Sequence, residues 1–274
     1  MKSSYPSKYK FSENFGNKVF NLGIFLLPSA FTISGILLII SAFLGYLKNK
    51  ENIFSDKLNK LFLVGSILII ISGFIKANNF IIITENFRIA YPDLGIFNWI
   101  PLIFSFFGFQ TYLQNKESRK ICALYFLFGT VPVIISVIGQ VFWDWDTPLK
   151  TLNGLIIWYL RPIEDFNAAS GLFNNPNYLG SWLNIIWPFC LSFLLFRDLN
   201  KFKKLIIFFF SLSVVSSIII CSSRASLLCL ILSIPIFLGK EYGKWVIYFL
   251  FTITFIFLLT LLPNIGDIMK NFLL

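Results

Sequence analysis

The stretch Ile121-Cys-Ala-Leu-Tyr-Phe-Leu-Phe-Gly-Thr-Val-Pro-Val-Ile-Ile-Ser-Val-Ile-Gly-Gln-Val-Phe142 decides the fold. It carries no charge, and a helix of about 20 apolar residues crosses the hydrocarbon core of a bilayer. Lys116, Arg119 and Lys120 stand before it, and Trp143-Asp-Trp-Asp146 follows, with aromatics suited to the membrane interface and solvated acids. The pattern recurs along the chain. Leu58–Ile75, Phe97–Leu113, Leu179–Phe196 and Trp245–Leu262 are further apolar runs. Val19–Leu47 is broken at Pro28-Ser29, so it reads either as one span or as a helical hairpin turning near Pro28–Thr32. Leu205–Leu238 is interrupted only by a serine-rich patch and Arg224, which predicts two short helices meeting near Ser222-Ser-Arg224.

Composition agrees. The chain is 57% hydrophobic and 13% charged, with a mean hydropathy of +0.76. Soluble domains carry roughly 25% charged residues, so this much apolar surface has no water-soluble core to enter. The expected fold class is all-α: a polytopic integral membrane helix bundle of about eight or nine transmembrane helices. It forms a single membrane domain over residues 1–274. Residues 1–17 form a polar, basic tail. Residues 143–178 form a loop in which Leu152–Leu160, too short to span and ending in Trp158 and Tyr159, reads as an interfacial helix.

The net charge of +10 follows from loop chemistry and implies no nucleic-acid partner. Lys48/Lys50/Lys57/Lys60, Lys116/Arg119/Lys120, Arg197/Lys201/Lys203/Lys204 and Lys240/Lys244 fall in alternate loops and so share the cytoplasmic side. The basic tail asks for the same side, which favours the hairpin reading of Val19–Leu47. The opposite loops hold Arg161, Arg224 and most of the acids, among them Asp144, Asp146, Glu164 and Asp165.

Several chemistries are excluded. The chain has no His, which removes imidazole acid–base work and His metal ligands. Cys122, Cys190, Cys221 and Cys229 lie in apolar runs without a Cys-x-x-Cys pair, so no metal site and no disulfide framework is expected. No phosphate-binding glycine loop, His-Glu-x-x-His or Gly-x-Ser-x-Gly is present, and no cofactor is implied. No cleavable leader is evident at the N-terminus.

Two features stand out against the apolar background. Arg224 lies inside an apolar run, where a guanidinium needs a partner or a route to the headgroups. Its planar fork of donors suits phosphate or carboxylate. The segment Ser170-Gly-Leu-Phe-Asn-Asn-Pro-Asn-Tyr-Leu-Gly180 crowds Asn174, Asn175 and Asn177 between turn residues. These amides either contact a sugar or pyrophosphate or serve turns and caps, with Asn177 placed to cap a helix beginning near Tyr178. Loop parity puts both features on one face. Arg161 is a second candidate arginine there, or an anchor for the interfacial segment. Glu164 and Asp165 read as solvated loop charges.

Ser170-Gly-Leu-Phe-Asn-Asn-Pro-Asn-Tyr-Leu-Gly180 followed by Trp182–Phe196, together with Ser222-Ser-Arg-Ala-Ser226, resembles the Gly-x-Phe-x-x-Pro-Asn and Ser-Arg-Gly/Ala motifs of the O-antigen ligase and polymerase superfamily. The resemblance covers roughly Arg161 to Leu238. It implies a bacterial inner-membrane protein that takes glycan from an undecaprenyl-pyrophosphate-linked donor to a glycan or lipid acceptor, with its site on the periplasmic face. By the same resemblance Arg224, and Arg161 as a displaced match, would act as catalytic residues on the pyrophosphate. Asn174, Asn175, Asn177 and Ser223 would bind substrate. The chain departs from the family in lacking the His that would activate the acceptor and the large loop that would follow the last span, so a truncated or inactive member is expected. The superfamily also holds cyanobacterial proteins assigned to bicarbonate transport, which makes an anion transporter the alternative class.

Overall fold

A computed structural model describes residues 7–49, 56–78, 92–195 and 199–238. Its helices are α1 (Ser7–Leu26), α2 (Phe31–Asn49), α3 (Lys57–Asn78), α4 (Pro92–Phe109), α5 (Lys116–Trp143), α6 (Ile163–Phe166), α7 (Pro176–Leu195), α8 (Lys201–Ile220) and α9 (Arg224–Leu238). Two short strands, β1 (Leu149–Thr151) and β2 (Ile156–Trp158), pair between α5 and α6. Among the described residues, four helical segments are long and apolar enough to cross a membrane: Phe31–Lys48, Lys116–Trp143, Pro176–Leu195 and Lys201–Ile220. The expected span Trp245–Leu262 and the basic turn at Lys240 and Lys244 lie outside the described residues.

The chain gathers into two compact units. One runs through Val133 and includes Leu149–Ile157; the other holds Ile134–Pro148 and the chain from Trp158 onward.

In the first unit, Val19–Leu47 is a helical hairpin and not one span. The chain leaves α1 at Leu27, and the Ala30 N–H donates to Leu26 O at 2.8 Å. The buried Ser34 hydroxyl donates to Gly23 O at 2.7 Å and ties the two helices together. Within residues 1–17 the chain is already helical from Ser7. Burial of Val19, Phe20 and Ile24 gives that helix its packed face, and the polar first turns extend it.

Tyr112 is the hub of this unit. Its hydroxyl donates to Ser41 O at 2.7 Å, and its ring stacks on Phe20 with centroids 5.1 Å apart. Gly45 and Gly108 let α2 and α4 touch along their backbones: a Cβ on Gly45 would overlap Gly108 O, and one on Gly108 would overlap Ala42 O. Without water to drive association, such small-residue contacts are how helices gain packing in lipid. A reciprocal amide pair adds α3: Asn59 Nδ2 donates to Gln110 Oε1 at 3.1 Å, and Gln110 Nε2 to Asn59 Oδ1 at 2.7 Å. The outer side of α3 (Leu58, Leu61, Val64, Leu68, Ile71, Ile75) is exposed and apolar, a face suited to lipid.

The segment expected as an interfacial helix, Leu152–Leu160, is instead the turn and second strand of a hairpin. Leu152, Asn153 and Gly154 take positive φ of 51°, 53° and 88°, which ends any helix, and β-branched Ile156 and Ile157 suit the strand that follows.

In the second unit α7 packs against both α8 and α9. Asn200 caps α8 by accepting from the Lys203 N–H at 2.9 Å. The predicted break in Leu205–Leu238 is present: α8 stops at Ile220, Ser222 turns with φ 50°, and α9 begins at Arg224.

Replacing Gly108 with Leu would drive a side chain into the α2 backbone. It should prevent a folded, monodisperse preparation in detergent. Tyr112→Phe removes one hydrogen bond and should cost about 1 kcal/mol, read as a melting temperature lower by roughly 2–4 °C. A Gly108→Leu protein that melts with the wild type would contradict this packing.

Candidate functional site

The polar residues that the sequence singles out meet at one end of the second unit. The α5 helix ends there through a left-handed residue, Asp144 (φ 48°). This turns the chain so that the Trp145 N–H donates to Gly139 O at 3.3 Å. Trp145 then lies over Gly139, where a Cβ would overlap the indole.

That turn leaves Gln140, one residue on and 2% exposed, facing the loop from Leu160 to Asn175. Gln140 Nε2 donates to Arg161 O at 2.7 Å and to Ser170 Oγ at 3.4 Å. Its Oε1 accepts from the Gly171 N–H at 2.7 Å. Ser170 Oγ in turn accepts from the Arg161 N–H at 3.1 Å. One buried amide and one buried hydroxyl therefore hold both the backbone N–H and C=O of Arg161. Gly171 is required at its position: its φ is +59°, and a Cβ would press on Ser136, Val137 and Leu179.

With its backbone fixed, Arg161 is aimed by a side chain. Its Nε donates to Asn174 Oδ1 at 2.8 Å, and both Nη groups keep their N–H donors without partners among the described residues. A guanidinium held through Nε presents its outer fork to an anion.

The neighbouring amides have other work. Asn175, not Asn177, caps α7: its Oδ1 accepts from the Asn177 N–H at 2.8 Å, and Pro176 takes the first helical position, where no N–H is needed. Asn177 itself is exposed. Its carbonyl accepts from Ser181 Oγ at 2.8 Å.

The Ser222–Ser226 corner lies at this same end. The Ala169 N–H donates to Ile220 O at 3.3 Å, which joins the loop to the end of α8. Gly180 is so close to Ser226 that a Cβ would overlap its hydroxyl. Asn184 Nδ2 donates to Gly180 O at 3.0 Å and to Ser226 O at 3.1 Å, joining α7 to α9. Ser223 is buried and accepts from Ser226 Oγ at 3.1 Å. Arg224 is exposed on the first residue of α9, with no hydrogen bond or ion pair among the described residues. Burial raises the Cys221 thiol above its ordinary value, with the Ser223 backbone N–H offsetting part of that rise. It is not a neutral-pH nucleophile.

This end carries charge of both signs, with Asp144 and Asp146 exposed after α5. Two helices, α7 and α9, start here and direct their N-terminal dipole ends outward, beside Arg161 and Arg224. Glu164 and Asp165 are exposed on the short α6. Lys201, Lys203 and Lys204 sit in the first turn of α8, about 30 Å away along its axis. Among the described residues no group of His, Cys, Asp and Glu could hold a metal ion.

Two residues that organise the site, Gln140 and Asn184, escape the sequence reading. Each is a lone amide within an apolar run, and that is the signal which marks them. No protein-family model, curated protein or solved structure matches the chain.

Gln140→Leu keeps the apolar volume and removes all three loop bonds. Local opening of residues 160–175 should become easier by 1–3 kcal/mol, about tenfold or more in open population. Endoproteinase Glu-C cleavage after Glu164, followed by fragment mass, reads this opening. Cleavage at the wild-type rate would contradict the clamp.

Proposed function

We propose that the chain is a multi-spanning membrane protein of surface-polysaccharide assembly that binds the diphosphate of a lipid-linked glycan donor at the Arg161–Arg224 end of its second unit. The observation that carries this reading is the preparation of Arg161. Its backbone is clamped on both sides and its Nε is fixed by Asn174, while its outer N–H groups remain free to bind. A side chain that only snorkels to headgroups needs no such support. Arg224 and the α7 and α9 N-termini add positive charge at the same end.

On this reading the chain belongs in a bacterial inner membrane. Its bundle has about eight or nine spans, its lysine-rich ends face the cytoplasm and its arginine end faces the periplasm. The resemblance of Gly171–Asn177 and Ser222–Ser226 to O-antigen ligases and polymerases supplies the substrate class. The arginines stabilise the charge that develops on the departing pyrophosphate as an acceptor hydroxyl takes the glycan. The sites of Asn174, Asn175, Asn177 and Ser223 divide this labour: Asn174 aims the arginine, Asn175 and Ser223 hold helix starts, and Asn177 is exposed at the rim.

Deleting the gene in the source cell should alter the chain length or lipid attachment of a surface glycan and leave lipid-linked donor to accumulate. Arg224→Lys and Arg161→Lys should each fail to restore it, with transfer reduced by about 10²–10³, because a single ammonium does not replace the bidentate fork. Normal glycan in the deletion and in both variants would contradict the proposal.

A further inference from the structure

In the first unit an open groove of about 550 Å³ runs between Phe25 of α1 and an apolar row on α5 that includes Leu124, Tyr125, Phe128 and Val131. The two helices run in the same direction: Phe20 stacks on Tyr112 just before α5 begins, and a Cβ on Gly129 further along would overlap Phe25 O. The start of α5 is therefore level with the part of α1 near Lys18 and Phe20, about 20 Å along from Ser7, and the groove descends from there.

The chemistry of the groove changes in a fixed order. At its head, Lys18 stands two turns before Phe25 on the same face of α1 and is exposed. Lys120 stands one turn before Leu124 on α5. Lys116 and Arg119 share that first turn, and Glu117 is the one acid beside them. Next comes Tyr125, about 7.5 Å further down the axis than Lys120. It is 37% exposed, and its hydroxyl has no hydrogen-bond partner among the described residues. Below it the lining is entirely apolar: Phe25, Phe128, Val131 and Pro132.

Cation, hydroxyl and apolar slot repeat the sequence of phosphate, ester and acyl chain along a lipid. We infer that this groove binds one anionic glycerophospholipid of the leaflet at the α5 start. Lys18 and Lys120 hold its phosphate, Tyr125 donates to an ester carbonyl, and an acyl chain lies between Phe25 and Val131. Four cations against Glu117 favour a headgroup with net negative charge over a zwitterionic one. The site is independent of the arginine end.

Native mass spectrometry of the full chain in detergent, titrated with phosphatidylglycerol or phosphatidylethanolamine of identical acyl chains, tests this. The wild type should retain one phosphatidylglycerol and hold it more tightly than phosphatidylethanolamine. The pair Lys18→Gln and Lys120→Gln, the first exposed and the second half-buried, should weaken retention about tenfold or more. Val131→Trp should abolish it by filling the slot, while Ile39→Trp, on the exposed face of α2, should leave it unchanged. Equal retention of both lipids by the wild type, or wild-type retention by the glutamine pair, would overturn the inference.

Discussion

A single buried side-chain amide, that of Gln140, sets the shape of the polar end of the second unit. A polar loop at a membrane surface has to satisfy its own backbone groups wherever it is shielded from water. Gln140 meets that demand with three hydrogen bonds from the last turn of α5, and Ser170 completes the ring around Arg161. The loop then has little freedom. Gly171 must turn with positive φ beneath it, Asn174 falls where it reaches Arg161 Nε, and Asn175 arrives as the cap of α7. The directionality of an amide, donating on one side and accepting on the other, is what lets one residue hold both strands of the loop. A hydrophobic residue of the same size could fill the space but not fix the register.

Elsewhere the same physics takes a different form. In hydrocarbon the usual drive to bury apolar side chains between helices is absent, and close backbone approach replaces it. Gly45 on Gly108, Gly129 on Phe25 and Gly180 on Ser226 are three such approaches. The first and the last are accompanied by polar ties close by: Tyr112 to Ser41 and Thr111 to Gly45 in the first unit, Asn184 to Ser226 in the second. Small residues bring the helices near, and a few directed bonds choose the register.

Much of this organisation was legible in the sequence, because the signals were long and made of many residues. Apolar runs bounded by lysines predicted the helices, and the basic tail predicted the hairpin at Pro28 over a single span. The Ser222–Arg224 break was visible because an arginine cannot sit inside a span without reason. What failed were short segments. Leu152–Leu160, apolar and ending in Trp158 and Tyr159, reads as an interfacial helix, yet three consecutive residues of positive φ make it a hairpin turn, and Leu152 among them is a residue that does not advertise that geometry. The capping role fell to Asn175 and not Asn177, since Pro176 moves the helix start upstream. Gln140 and Asn184 were hidden because their partners are backbone atoms, which carry no sequence signature. Hydrogen bonds to the main chain decide where Arg161 points, and composition is blind to them.

The loop around Arg161 and Asn174 and the corner at Arg224 share one end, opposite the lysines at the start of α8, and the proposed function requires that end to face out of the cell. Single cysteines at Asn177, Arg224 and Lys203, in a background with Cys122, Cys190, Cys221 and Cys229 replaced, can be labelled in intact cells with a membrane-impermeant maleimide. Asn177→Cys and Arg224→Cys should label at once, and Lys203→Cys only after permeabilisation. Labelling of Lys203→Cys together with either of the other two before permeabilisation, or of only one of Asn177→Cys and Arg224→Cys, would contradict it.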